Sequence, residues 1–354
     1  MTQEFMQAVV FKGPKRVVIE ERPIPHIQEP SDIIVKVKYT ALCGSELHVY
    51  RGSQPSPLGF IMGHEFTGVV DQLGSDVRSV KKGDLVVAPF TISCGKCFYC
   101  IKNYSSRCEE GMLFGSPALD GAQAGYVRVP LADSSVVKAP KGIDPLKLCL
   151  MADIFPTGYF AAKNAFTGLV DLEVQDSTVV VIGCGPVGLC AIVNALQYKS
   201  KHLLAVDGLE DRLACAEKLG AEPWSYLSNL GGLSERVKEL TGGRGADIMI
   251  EVVGSSPALQ MGFELLRSWG NISSVGVHNG AIPWSGNQAY AKNLRLQMGR
   301  CPVRRIFSEA LQSLMKTQNL LGFLTENVMP LSEAVKGYDL FDKMKTQKVI
   351  FRMG

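Results

Sequence analysis

Hydrophobic positions along residues 1 to about 150 come in short β-branched runs cut by Gly, Pro and Ser clusters, the pattern of strands joined by tight turns. Runs at 17–19, 33–39 and 67–70 predict strands, and Lys81-Lys82-Gly83-Asp84 predicts a turn into another strand at 85–87. Near Pro145 the period changes. From there to about residue 297, apolar runs at 178–182, 203–206, 248–250 and 272–275 alternate with helical stretches such as 212–219 and 259–266. That alternation predicts a parallel sheet built from strand–helix–strand units. The last segment, from about 298 to 354, predicts a helix over 307–315 and a closing strand over 348–351. No internal repeat or low-complexity stretch interrupts the pattern.

Composition narrows the function classes. A chain of 354 residues is long for one small core and implies two or three domains. Lys plus Arg number 37 against 34 Asp plus Glu, so a net charge of +3 gives no electrostatic reason to expect nucleic acid or an anionic membrane as partner. The longest apolar stretch, 179–193, is broken by Gly183, Gly185, Pro186 and Gly188, and is too short to span a bilayer. Met1-Thr2-Gln3-Glu4-Phe5 has neither the basic start nor the apolar run of a signal peptide, so a cytoplasmic protein is expected. The glycosylation-like triplets at Asn103 and Asn271 are then incidental.

The chemistry begins with Gly183-Cys184-Gly185-Pro186-Val187-Gly188, which fits G-x-G-x-x-G. It follows an apolar strand and opens a helical stretch, the context in which such glycines bring the backbone up to a pyrophosphate at a helix N-terminus. Asp207 ends the next strand, where an acid bonds the adenosine ribose hydroxyls. Glu210 and Asp211 add negative charge that would repel a 2′-phosphate, so the expected cofactor is NAD rather than NADP.

Ten cysteines in a chain expected to stay in a reducing compartment point away from disulfides. Cys94, Cys97, Cys100 and Cys108 form a C-x2-C-x2-C-x7-C run that can supply four thiolates to a closed structural zinc. Cys149, Cys184, Cys190, Cys215 and Cys301 lack metal-like spacing and read as small apolar fillers. Two further pieces are ambiguous alone: Cys43-Gly44-Ser45-Glu46-Leu47-His48, and Gly63-His64-Glu65. His26, His202 and His278 fit no motif and read as surface or packing residues.

Together these motifs, in this order along essentially the whole chain, resemble the zinc-dependent medium-chain alcohol dehydrogenase family. The resemblance implies an α/β chain. A GroES-like β-rich catalytic domain over 1–152 and 298–354 would hold an inserted Rossmann domain over 153–297, with the active site in the cleft between them. It implies a catalytic zinc held by Cys43, His64 and Asp153, the last preceding a Thr157-Gly158-Tyr159 segment. Glu65 would be an alternate ligand, and Cys149, four residues before Asp153, a reserve position. Glu46 stands where an Asp is usual, and Pro156 where a small hydroxylated residue is common. A zinc with an open fourth position would make a bound alcohol easier to deprotonate. Ser45 would accept that proton first, the cofactor ribose would pass it on, and His48 would deliver it to solvent. Arg212, Thr157 and Val253 join the cofactor contacts; Phe90 with the Leu113-Phe114-Gly115 segment would either line an apolar substrate cleft or belong to the core. The implied activity is reversible NAD-linked oxidation of an alcohol to an aldehyde or ketone by a homodimer or homotetramer joined through the Rossmann sheets, with two zincs per chain. Alternatives are a polyol or threonine-type dehydrogenase, a biosynthetic NAD(P)H-dependent reductase of the same family, or a non-catalytic, crystallin-like dinucleotide-binding protein.

Overall fold

The computed structural model describes residues 4–354; of the amino-terminal stretch read above, residues 1–3 lie outside the described residues. The chain divides into two compact units, 1–154 with 302–354, and 155–301. The breaks fall after Ile154 and Cys301 instead of after residues 152 and 297. Asp153, expected to open the second domain, belongs to the first, because the turn before it is bonded there: Phe90 N–H donates to Ala152 C=O (3.0 Å).

The first unit is built on a seven-stranded sheet. Its path runs Val328–Pro330, Ile350–Arg352, Ile33–Ala41, Glu65–Leu73, Leu85–Val87 and Val137–Lys138, and Tyr126–Val129 also pairs with Ile33–Ala41. A separate hairpin, Phe5–Gly13 with Arg16–Pro23, adds apolar side chains to the same unit. Strand Ile33–Ala41 buries both faces along much of its length, so it reads as a continuous apolar run. Ile33, Val35 and Val37 pack with Phe66, Ile92 and Phe114 in one core. A second core gathers Val9, Phe11, Leu42, Tyr338 and Phe351, so the carboxy-terminal segment is sewn into the β-rich unit.

The second unit is a six-stranded parallel sheet in the spatial order Glu222–Ser225, His202–Asp207, Thr178–Ile182, Ala246–Glu251, Leu266–Ser274 and Arg295–Met298. In chain order this is 3-2-1-4-5-6, reversing between Thr178–Ile182 and Ala246–Glu251. One boundary differs from the sequence pattern. The helix Ser256–Leu265 stops before Leu266, which instead starts a strand opposite Ala246. A register shift between Ala246 and Ile248 and a left-handed Trp269 accommodate the early start, features that periodicity does not record. No helix among the described residues is long and apolar enough to cross a membrane.

Candidate functional site

Three chain segments converge on a buried cluster in the first unit. Antiparallel pairing of Ala41 with Glu65 sets the residues just after one strand beside those just before the other, so Cys43 and His64 become neighbours. Asp153 follows the 3-10 turn Cys149–Ala152. Ligand atoms of Cys43, His64, Glu65 and Asp153 all lie within 4.8 Å of one another. Cys43 Sγ donates to Asp153 Oδ2 at 3.4 Å, and His64 Nε2 is 3.2 Å from that same oxygen.

The electrostatics of this cluster are those of a site for a cation. Burial raises the Cys43 thiol, and the Asp153 and Glu65 carboxylates raise it further. Burial alone would lower His64, but hydrogen bonds with Asp153 and Cys43 override it and hold the imidazole well above 6.5. Burial pushes Glu65 up to about 7 despite Lys348, with Asp153 adding to the rise. A thiol, an imidazole and two carboxyl groups crowded out of water, each with an oxygen, nitrogen or sulfur donor turned inward, fit the borderline-soft preference of zinc.

The support of this cluster escaped the sequence pattern. Lys348, fully buried, places Nζ 2.8 Å from Glu65 Oε1 and 2.7 Å from Oε2. Leu42 N–H donates to Val349 C=O at 2.9 Å, which brings Lys348 alongside. Glu46 Oε2 accepts the Cys43 N–H at 2.9 Å, and Oε1 is 3.8 Å from His64 Nδ1. Gln123 Nε2 reaches Glu46 at 3.4 Å, and Tyr338 donates its hydroxyl to Gln123 Oε1 at 2.9 Å. Only Glu46 had a signal, from its place in the Cys43–His48 motif; Lys348 is 283 residues from Glu65.

Other expected residues sort as follows. Ser45 and His48 are half-buried at the start and middle of the short helix Glu46–Tyr50. Burial, then the Arg51 charge, lowers His48 from 6.5. Phe90 is buried with its ring edge toward His64, centroids 6.2 Å apart. Phe114 is core, fully buried with Phe66 and Ile92 and edge-on to Phe66 at 5.2 Å. Cys149 is the small apolar filler expected of it and not the reserve ligand. Its segment is a 3-10 turn, its thiol is 3.9 Å from the Tyr39 carbonyl, and it packs with Ala41 and Ile350 outside the donor cluster.

The second cluster is the cysteine run. Cys94, Cys97, Cys100 and Cys108 bring their sulfurs within 4.8 Å of one another, partly exposed, on a loop with one short helix, Phe98–Ile101. Cys94 and Cys100 sulfurs are 4.0 Å apart, as are those of Cys97 and Cys108. Backbone N–H groups point at the sulfurs, Cys94 N–H to Cys108 Sγ at 3.2 Å and Cys97 N–H to Cys94 Sγ at 3.3 Å. Hydrogen bonds from the backbone of Glu109 and Cys100 pull Cys97 down to about 6, while burial pushes Cys100 up to about 12. No cysteine is in a disulfide. Four thiols turned toward one point with donors around them fit a tetrahedral four-sulfur zinc site.

In the second unit the glycine-rich turn leaves strand Thr178–Ile182 with Gly183 at φ +97° and enters the helix Pro186–Ala195. A Cβ on Gly188 would fall 1.8 Å from the Gly183 carbonyl oxygen, so only glycine permits this close turn. Pro186 occupies the first turn of that helix, where its missing N–H costs nothing, and Val187 follows it. Asp207 holds the turn from the neighbouring strand: Oδ2 accepts Cys184 N–H at 2.8 Å and Oδ1 accepts Leu209 N–H at 3.0 Å. Arg212 Nη1 is 3.7 Å from Asp207 Oδ2, and its guanidinium lies over Gly185. Val253 is half-exposed with its side chain against Gly183, and Thr157 is buried in the helix Ile154–Phe166. This cradle, closed to a Cβ at Gly183 and Gly188 and ending at a helix N-terminus, fits a dinucleotide pyrophosphate.

Residues 29–141 match the alcohol dehydrogenase GroES-like domain family, and residues 186–316 match the zinc-binding dehydrogenase family. The chain is 62% identical over 353 residues to zinc-type alcohol dehydrogenase B of Aspergillus flavus, covering 100% of this chain and 82% of that one. The chain belongs to the zinc-type alcohol dehydrogenase family. It is an oxidoreductase with a β-rich GroES-like unit and a parallel-sheet Rossmann unit. The alcohol dehydrogenase TADH from Thermus sp. ATN1 has a similar structure, with a TM-score of 0.89, 33% identity, and coverage of 98% of this chain and 100% of that one. A medium chain reductase/dehydrogenase of an Acremonium species, ucsI, is 53% identical over 291 residues, covering 82% of this chain and 100% of that one.

Proposed function

We propose that this dehydrogenase interconverts a small alcohol and its aldehyde or ketone with NAD as hydride acceptor, and that Cys43, His64 and Asp153 hold the catalytic zinc. The observation that carries the reading is the convergence of those three donors and Glu65 within 4.8 Å in a buried site. One thiolate and one carboxylate balance a dication and leave the imidazole neutral. Bound there, zinc supplies a Lewis acid that eases loss of the alcohol proton. NAD, held at the glycine-rich turn of the second unit, supplies the hydride acceptor.

The chain's own residues do the rest. Lys348 is paired with Glu65, which keeps the second carboxylate beside the other three donors, where it would serve as the alternate ligand. The Ser45 hydroxyl would take the alcohol proton as it gives up its own along the relay, and His48, held below 6.5 by burial and then by Arg51, would release a proton to water. Cys94, Cys97, Cys100 and Cys108 hold a second, structural zinc. Asp207 selects NAD, because a 2′-phosphate would meet its carboxylate and those of Glu210 and Asp211. An oligomer joined through the Rossmann sheet belongs to the same reading: strand Arg295–Met298 lies at the sheet edge and is exposed along its length. Ten free cysteines suit a reducing, cytoplasmic setting.

A second reading is a biosynthetic NAD(P)H-dependent reductase, and the word reductase in the name of the 53% identical relative is what favours it. Steady-state kcat/KM with NAD and NADP across primary, secondary, polyol and aromatic alcohols tests both. Alcohol-dependent reduction of NAD, lowered roughly ten- to a hundredfold in Asp207→Ser, supports the first reading. A clear preference for NADP in the unmodified enzyme, without alcohol oxidation, overturns it.

A further inference from the structure

At the carboxyl edge of the parallel sheet, Glu251 ends its strand in register with Ile182 on one side and Ser274 on the other. The strand order reverses between the first two of these strands, and sheets of this kind bind ligands in the crevice outside such a reversal. Ile182 also pairs with Val206, so Asp207 and Glu251 flank the glycine-rich turn from opposite sides. The adenosine half of a dinucleotide belongs beside Asp207. The strand carrying Glu251 is therefore next to the other half.

Glu251 is buried and saturated with donors. Its Oε1 accepts N–H groups from Val253 at 2.8 Å and Gly254 at 2.6 Å. Its Oε2 accepts the Ser274 hydroxyl at 2.6 Å and lies 3.1 Å from His278 Nε2. A carboxylate oxygen facing Nε2 assigns the ring proton to Nε2 and leaves Nδ1 as an acceptor. The His278 side chain is only 10% exposed, and Nδ1 is buried with no hydrogen-bond partner. Native structures rarely bury an acceptor unsatisfied unless a ligand or water supplies the donor. His278 fitted no sequence motif, because its partners Glu251 and Ser274 come from two different strand ends.

We propose that His278, seated by Glu251 and Ser274 at the strand-order reversal, is a cofactor-binding residue whose free Nδ1 accepts a hydrogen bond from the nicotinamide half of the dinucleotide. The carboxamide N–H is the donor of matching chemistry on that half. The proposal rests on the dinucleotide reading above and deepens it, since that reading names no side chain for the nicotinamide end.

The test compares NADH with ADP-ribose, which lacks nicotinamide, by fluorescence and calorimetric titration of the full-length enzyme. His278→Gln keeps a donor near the Nε2 position and removes Nδ1, whereas His278→Asn keeps a polar group near the Nδ1 position. NADH affinity is expected to fall roughly three- to tenfold in the Gln variant, with ADP-ribose affinity held within about twofold. The Asn variant is expected to bind NADH more tightly than the Gln variant does. If both ligands weaken in parallel, or if neither changes in either variant, His278 has only a structural place and the proposal fails. A parent enzyme that binds neither NADH nor ADP-ribose overturns the dinucleotide reading and the proposal together.

Discussion

The two donor clusters of the first unit solve opposite problems. The four cysteines from Cys94 to Cys108 sit on one partly exposed loop, and their thiols and backbone amides assemble from short-range turns alone. The cluster of Cys43, His64, Glu65 and Asp153 is buried and drawn from segments as far as 110 residues apart. Nothing local could form it. Antiparallel pairing of two strands, a turn held by Phe90 and a lysine from the carboxy-terminal segment bring it together. A metal in the exposed loop would order the loop that binds it. A metal in the buried cluster would enter a site that the fold has already made, where unscreened charges need it more and water reaches it less. Under the proposed function, the difference separates a stabilising site from a reactive one.

Breaking each cluster should therefore give different losses. Cys43→Ala is expected to lower kcat/KM roughly a thousandfold or more, the several kcal/mol that a bound Lewis acid contributes, while NADH affinity stays near that of the parent. Calorimetric titration alongside kinetics checks both halves. A Cys43→Ala enzyme with parental turnover would erase the contrast.

Lys348→Met asks what burial costs. Removing the partner of a buried carboxylate should destabilise the fold by about 3–5 kcal/mol in urea denaturation at constant metal load. The double variant Lys348→Met with Glu65→Gln should recover most of that loss. Equal stability of the single and double variants would mean that the ion pair does not hold Glu65.

His48 lies on the short helix Glu46–Tyr50 that follows Cys43, and its shift has a definite sign. Burial and Arg51 hold it below 6.5, so at neutral pH the folded ring is uncharged and can accept a proton. Because the unfolded chain binds that proton more readily, its contribution to stability is present above 6.5 and declines as the pH falls below it. The acid limb of kcat/KM in alcohol oxidation should lie below 6.5, and His48→Gln should lower the rate by up to roughly a hundredfold. A parental pH profile in the variant removes His48 from the proton path.

The smallest effect on chemistry is expected from the exposed loop. Cys100→Ser should lower Tm by roughly several degrees and release one zinc, with turnover per folded molecule within about twofold of the parent. Parental Tm and metal content in that variant would show that the loop is not a metal site.

The same contrast explains what was legible in the sequence. Cys94 to Cys108 and Gly183 to Gly188 could be read directly, because each forms from adjacent residues whose spacing is the geometry. Cys43, His64 and Asp153 were named only through resemblance to a family; their spacing along the chain carries no trace of a shared point. Lys348, Gln123 and Tyr338 were invisible for the same reason, each ordinary where it stands and defined by partners far away. Phe114 had two readings open, cleft wall or core, which only packing could decide, and Cys149 is packed as the small filler its lack of metal-like spacing suggested. Strand periodicity gave the parallel sheet, but a register shift and a left-handed Trp269 moved the start of one strand to Leu266.

Metal content of the purified chain, measured by mass spectrometry in parallel with turnover for the parent and Asp153→Asn, addresses the buried cluster most directly. Asp153→Asn keeps the side-chain size and removes one negative donor from a site whose other members are Cys43 and His64. The expected result is about two zincs per parent chain, about one in the variant with the cysteine loop still loaded, and a matching collapse of turnover. Undiminished zinc and undiminished turnover in Asp153→Asn would contradict the assignment of the buried cluster as the catalytic metal centre.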